Sequence, residues 1–162
     1  MAGNEEFEMS LLLTAVAALA LQSAPDPAEA EVAAVLDQMN AASSAADGAA
    51  YFALFTPDAR FIGTDATERW SMAEFRAFAE PFFARGRGWS YPARDRVITI
   101  APVECRCIAW FDEDLDNEGY GRTRGSGVLR RTADGWKIEQ YVLSFAVPNE
   151  RSKAVVEAIR GE

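Results

Sequence analysis

The chain has 162 residues, of which 49% are apolar, and a formal net charge of −9 with an isoelectric point near 4.6. That length fits one ordinary domain, and the apolar content excludes a wholly disordered chain. The negative charge disfavours nucleic acid and anionic lipid surfaces as partners, because both attract clustered Lys and Arg.

The first 24 residues contain an apolar run, residues 11–21, which has the length of a signal-peptide core and is too short to span a bilayer. Three glutamates and no basic residue precede it, which is atypical of an export signal. We therefore expect either a cleaved leader, with a periplasmic or secreted domain at 25–162, or a disordered extension of a cytoplasmic protein. No other segment predicts a membrane helix.

Helical signals dominate residues 26–83. Asp26 and Pro27 are a capping residue and a first-turn proline, and apolar residues then recur at helical spacing to position 46. A second short helix is predicted at 49–55. Ser71 with Glu74 is a capping box for a third helix, which ends at a Gly-Arg-rich stretch.

Strand signals dominate the rest of the chain. β-Branched and aromatic residues, separated by turn residues, predict strands at 60–63, 89–100, 105–111, 121–131 and 136–147, with a closing helix at 151–159. Helices that are segregated from one antiparallel sheet indicate the α+β class.

Several segments resemble the SnoaL-like branch of the nuclear transport factor 2-like superfamily. They are DGAAYFALF and PDARF (47–55 and 57–61), GTDATERW (63–70), AWFDE (109–113), RGSGVL (124–129) and GWKIEQY (135–141). The resemblance covers residues 28–150 and implies a cone in which a curved antiparallel sheet packs against about three helices. It leaves function open, because this superfold hosts isomerases, cyclases, dehydratases, binding domains and transport adaptors.

Two positions depart from related patterns. The subgroup usually has a histidine after the last-strand tyrosine, where this chain has Val142. The catalytic carboxylate of ketosteroid isomerase ends the first strand, where this chain has Gly63, and Asp65 follows two residues later. Steroid-type isomerisation is therefore not expected.

Strict alternation along the last strand predicts two faces. The resemblance directs one face, Trp136 to Ser144 through Gln140, into the cone. The other, with Tyr141, Leu143 and Phe145, would meet helices or a second subunit, and this apolar face predicts a homodimer. The candidate ligand-binding residues are Trp70, Trp89, Trp110, Arg124 and Gln140; their alternative role is ordinary core packing.

Asp112 and Asp65 are the candidate catalytic residues, and Glu68 is a third acidic group nearby in sequence. A carboxyl buried beside tryptophan has a raised pKa that suits proton transfer near neutral pH. The alternative is structural, since Arg69 or Arg124 could pair with such a carboxylate and fix a loop. For Asp112 both interpretations stay open.

Without histidine, Ser-His-Asp triads, Cys-His dyads and most zinc sites are excluded, and we expect no metal and no cofactor. Cys105 and Cys107 share one face of a predicted strand, and we interpret them as free, buried thiols. The acidic run 112–118 lacks the glycine and final glutamate of a calcium loop, which indicates a solvated hairpin tip.

Three functions follow as hypotheses. The first is a small-molecule binding domain for a hydrophobic or partly polar ligand. The second is a cofactor-independent isomerase, cyclase or dehydratase that uses a pocket carboxylate. The third is a dimeric interaction module. A deep pocket with an unpaired carboxylate would favour the enzyme, and a cone filled with side chains would favour the interaction module.

Overall fold

A computed structural model of the protein describes residues 26–161, so the predicted leader at 1–24 lies outside the described residues. Within the described part, no helix is long and apolar enough to cross a membrane.

Three helices precede most of the sheet: α1 (Pro27–Ser44), α2 (Gly48–Ala53) and α3 (Met72–Phe83). The predicted caps are present. Asp26 accepts a hydrogen bond from the Ala28 amide at 3.0 Å, and the Ser71–Glu74 capping box begins α3. Each helix directs its apolar positions towards the sheet, which buries Leu36 of α1 and Phe75 of α3.

Six strands form one curved sheet: β1 (Phe55–Ile62), β2 (Arg69–Ser71), β3 (Ala93–Ile100), β4 (Ile108–Asn117), β5 (Gly121–Thr132) and β6 (Gly135–Phe145). Their order is β2-β1-β6-β5-β4-β3, and all neighbours are antiparallel except β1 and β6. Helix α1 packs on β3 and β6, and α3 packs on β1 and β2. The predicted α+β class is confirmed.

A bulge in β6 corrects the predicted faces of this strand. Val128 pairs with Gln140, whereas Leu129 pairs with Ile138, so Glu139 is one extra residue in β6. The extra residue reverses the alternation, because side chains in a strand alternate with a period of two. Tyr141 therefore points into the sheet's concave, helix-covered side, where it is buried, and Gln140 points to the outer side.

A second bulge, in β3, positions a largely buried arginine. The pairing with β4 shifts between Arg94 and Val97, and Asp95 adopts a positive φ of 46°. This shift places the Arg96 side chain on the concave side of the sheet, where it meets α1 and β4.

Cys105 and Cys107 form a disulfide, which corrects the prediction of free thiols in a strand. Residues 101–107 form the loop between β3 and β4, and Arg106, which lies between the two cysteines, has a positive φ of 44°. This turn brings the two Cα atoms to 5.1 Å, inside the range that a disulfide requires. The acidic run is also corrected: β4 continues to Asn117, and only residues 118–120 form the turn.

A fourth helix, α4 (Ser152–Arg160), closes the chain after a 3₁₀ turn at Asn149–Arg151. None of its residues is buried. Within the described chain, its main contacts are with that 3₁₀ turn. The prediction of a closing helix is confirmed.

Candidate functional site

A cavity of about 300 Å³ opens between α3, the first two strands and the turn between β4 and β5. Its wall is mostly aromatic, from Phe61, Trp70, Phe75, Phe78, Phe82 and Trp89. Polar groups line it in a few places only, among them Glu68 and Asn117. Concave, mainly apolar pockets with a few polar groups are the usual form of small-molecule sites.

Four rings in this wall lie nearly parallel. Phe61 and Phe75 stack at a centroid separation of 3.9 Å with 16° between their planes. Trp70 lies 5.5 Å from Phe75 and 4.7 Å from Phe78, with interplanar angles of 11° and 23°. Phe78 is partly exposed, so this row of rings extends from the core to the surface. A flat apolar molecule can extend the row by stacking.

A smaller void of about 20 Å³ adjoins the cavity and shares Phe61, Trp89, Tyr91 and Leu143 with it. Its polar lining comes from Asn40, Ser43, Tyr51, Tyr91 and Tyr141. Burial raises the pKa of Tyr141 well above its usual value and raises that of Tyr91 to about 12. These phenols are therefore neutral near pH 7 and can donate hydrogen bonds.

Behind Tyr141, β4 directs Glu113 into the interior, where its side chain is 0% exposed. Arg96 Nε donates to Glu113 Oε2 at 2.6 Å, and Arg96 Nη1 donates to Asp37 Oδ1 of α1 at 2.7 Å. Burial raises the pKa of the Glu113 carboxyl, and the nearby Arg96 opposes that shift. Within the described chain, Glu113 Oε1 accepts no hydrogen bond.

Gly125 of β5 makes room for this arrangement. A Cβ at this position would lie 2.5 Å from the Tyr141 hydroxyl oxygen and 3.1 Å from Glu113 Oε1. The absence of a side chain at Gly125 therefore allows the tyrosine and the carboxyl to lie side by side beneath the cavity.

The SnoaL-like domain model matches residues 32–148, which is more than half of the chain. The chain belongs to the SnoaL-like domain family. Curated proteins provide no match.

Solved structures show the same fold at low sequence identity. An NTF2-like family protein from Streptomyces avermitilis, described as a candidate dehydratase, is 14% identical; the match covers 77% of this chain and 100% of that one, with a TM-score of 0.64. A candidate aromatic ring hydroxylase from Novosphingobium aromaticivorans is 20% identical over 78% and 94%, with a TM-score of 0.62. A cystatin-like fold protein from Burkholderia xenovorans is 23% identical over 76% and 96%, with a TM-score of 0.61. These likenesses show the fold.

Of the ligand-binding residues predicted for this SnoaL-like domain, the cavity brings together Trp70 and Trp89. The other three residues, Trp110, Arg124 and Gln140, do not line the cavity, which corrects their predicted position. Trp110 is 45% exposed on the outer side of the sheet, because Ala109 and Phe111 take the buried alternation in β4. Arg124 also lies on the outer side, and the β6 bulge places Gln140 there.

Neither predicted catalytic aspartate lines the cavity. Asp112 alternates with buried Phe111 and Glu113, so it is exposed on the outer side of the sheet. Asp65 is in an exposed turn, where hydrogen bonds from the Thr67 hydroxyl and amide lower the pKa of its carboxyl. Glu68, by contrast, lines the cavity, and it also accepts a hydrogen bond from the Asp65 amide at 3.1 Å.

The sequence-based candidates do not include the interior carboxylate, Glu113, although the sequence contains a signal for it. In β4 the alternating residues Ala109, Phe111, Glu113 and Leu115 put one charged residue among apolar ones on the buried side. Across residues 26–161, no cluster of three or more Cys, Asp or Glu side chains has the arrangement of a metal site.

Proposed function

We propose that this SnoaL-like domain binds a flat, apolar small molecule in the 300 Å³ cavity. The observation that carries the proposal is the row of parallel rings from Phe61 to Phe78, which presents a stacking surface to the open cavity. Stacking on aromatic faces favours flat ring compounds. A cone with this much open space also argues against a module whose only role is protein interaction.

The test is mass spectrometry of organic extracts from the protein purified from its own host. A matched pair of variants gives the control. Thr64→Trp enlarges a residue that lines the cavity, whereas Ala66→Trp enlarges an exposed residue of the same turn. We expect a ring compound to copurify with the wild type and with Ala66→Trp, and to be lost with Thr64→Trp. Equal amounts in all three proteins would contradict binding in this cavity.

A cofactor-independent enzyme is the second candidate, and Glu113 is the observation that favours it. A buried carboxyl whose pKa is raised holds a proton at higher pH than usual, and this one lies near Tyr141, which lines the void. The copurified compound, incubated with the wild type, would then change in mass or isomeric form. Glu113→Gln would abolish that change and retain binding.

A homodimer through the outer side of the sheet is also proposed, on a different basis from the predicted one. Tyr141 and Leu143 face inward, but Trp110 and Val97 are exposed on the outer side beside alternating Asp and Arg side chains. An apolar centre with charges of both signs around it is self-complementary. Light scattering should give about twice the mass of the purified chain, which is 17.7 kDa for the full sequence, and Trp110→Glu should give the monomer mass.

Export to the periplasm or outside the cell is proposed from the leader-like sequence, and the Cys105–Cys107 disulfide supports it, because disulfides persist in oxidising compartments. Fractionation of the host cells tests this, since recovery of the full-length chain with cytoplasmic markers would contradict export.

A further inference from the structure

The void at the inner end of the cavity system is lined by the polar residues Asn40, Ser43, Tyr51, Tyr91 and Tyr141. All four tyrosines of the chain line the cavity or the void, and three of them, Tyr51, Tyr91 and Tyr141, surround the void of about 20 Å³. That volume is enough for roughly one water-sized group. The apolar rings of the cavity therefore lead to a small polar end that fits one oxygen atom.

The charges of the lining residues favour an uncharged ligand oxygen over an anionic one. Of the lining residues that the structure describes, Glu68 is the charged one, and Arg or Lys is absent from both linings. An anionic group would lie in a largely desolvated site without a counter-charge, and a second acidic group would lie at the cavity wall. An uncharged hydroxyl or carbonyl oxygen would instead accept hydrogen bonds from neutral phenols.

We infer that the ligand is an uncharged planar ring compound with a hydroxyl or carbonyl oxygen at one end, and that this oxygen enters the void to hydrogen-bond Tyr91 and Tyr141. This inference rests on the proposed function and specifies its ligand class. Tyr91 is the first of these two tyrosines that an entering ligand would meet, since it lines both the cavity and the void. Tyr141 is placed behind it, with its hydroxyl on the side of β6 where Gly125 leaves room.

Three probes of one shape test the inference: naphthalene, 2-naphthol and 2-naphthoate, measured by equilibrium dialysis with chromatographic quantification. The wild type should bind 2-naphthol roughly three- to tenfold more tightly than naphthalene, which is the fold-change expected for one buried hydrogen bond. It should bind 2-naphthoate more weakly than naphthalene, because the carboxylate would be buried without a cation.

Tyr91→Phe and Tyr141→Phe keep the ring and remove the hydroxyl. Each should reduce the affinity for 2-naphthol towards that for naphthalene and leave naphthalene binding unchanged. Tyr120→Phe is the matched control, since Tyr120 lines the cavity but is 52% exposed, so its hydroxyl is hydrated. It should retain the wild-type preference. Should Tyr141→Phe fail to fold, as judged by circular dichroism, Tyr91→Phe decides the question.

The outcomes separate this inference from the proposed function. Failure of all three probes to bind would contradict the proposed function itself. Equal binding of naphthalene and 2-naphthol, or a preference that survives in both Tyr91→Phe and Tyr141→Phe, would overturn the inference and leave a purely apolar binding site. Tighter binding of 2-naphthoate than of naphthalene would overturn the restriction to uncharged ligands.

Discussion

Arg96→Met should strongly destabilise the protein, because it removes the positive charge that accompanies a fully buried carboxylate. Arg96 Nε is the group that donates to Glu113 Oε2, and Glu113 Oε1 already lacks a partner in the described chain. Methionine has a similar length and no charge, so packing changes little. Breaking a buried pair in this way costs about 3–5 kcal/mol in free energy of unfolding.

The loss should depend on pH, and its sign follows from the raised pKa of Glu113. A carboxyl whose pKa is raised by folding stabilises the fold when pH lies below its unfolded value, and this contribution is lost as pH rises through the folded value. Without Arg96 the pKa of Glu113 rises further. Arg96→Met should therefore lose less stability at pH 5 than at pH 8, as measured by urea unfolding at both values.

Two further variants separate the charge from other effects. Adding Glu113→Gln to Arg96→Met removes the unpaired charge and should recover a large part of the loss at pH 8. Arg94→Met removes an arginine of the same strand that pairs with Asp116 at the exposed outer side, and it should cost less than about 1 kcal/mol. An Arg96→Met loss that is equally small, or that is the same at pH 5 and pH 8, would refute the reasoning.

Three other substitutions have defined outcomes in the same urea assay. Ser71→Ala removes the N-cap of α3, whose hydroxyl accepts from the Glu74 amide, and should cost about 1 kcal/mol. Gly125→Ala places a methyl group 2.5 Å from the Tyr141 hydroxyl oxygen and should cost roughly 1–3 kcal/mol, so an unchanged midpoint would show that this contact relaxes freely. Asp112→Asn should change stability by less than about 0.5 kcal/mol and leave naphthalene affinity unchanged, because Asp112 is exposed on the opposite side of the sheet from the cavity.

The fold class and the order of the elements other than β2 were predictable because local signals agree with the final packing. The Asp26 cap, the Ser71–Glu74 capping box and the turn residues between strands each fix an element boundary without reference to the rest of the chain. The family resemblance then predicted the arrangement of those elements, and the match over residues 32–148 confirms it.

The site was predicted less well, because side-chain direction in a strand is lost after a single inserted residue. The buried positions of β6 are Trp136, Ile138, Tyr141 and Leu143, with spacings of two, three and two. The spacing of three marks the bulge at Glu139. A prediction based on strict alternation ignores this bulge and places Gln140 inside the cone. The β3 bulge beside Asp95 is harder to predict, since no apolar pattern surrounds it.

The two bulges also bring polar side chains together in the interior of this domain. One turns Tyr141 of β6 towards the helices, and the other turns Arg96 of β3 towards the same side, where β4 supplies Glu113 without any irregularity. Regular strands would have sent the tyrosine to the outer side and left the carboxylate without this partner. The β3 bulge is stabilised by the Arg96–Glu113 pair that it makes possible, because an unpaired buried charge is unfavourable. Deleting Glu139 tests the assignment of the bulge. Without this residue Ile138, Gln140 and Tyr141 alternate regularly, so Tyr141 should stay on the concave side and the preference for 2-naphthol should persist; loss of that preference would contradict the assignment of Glu139 as the extra residue.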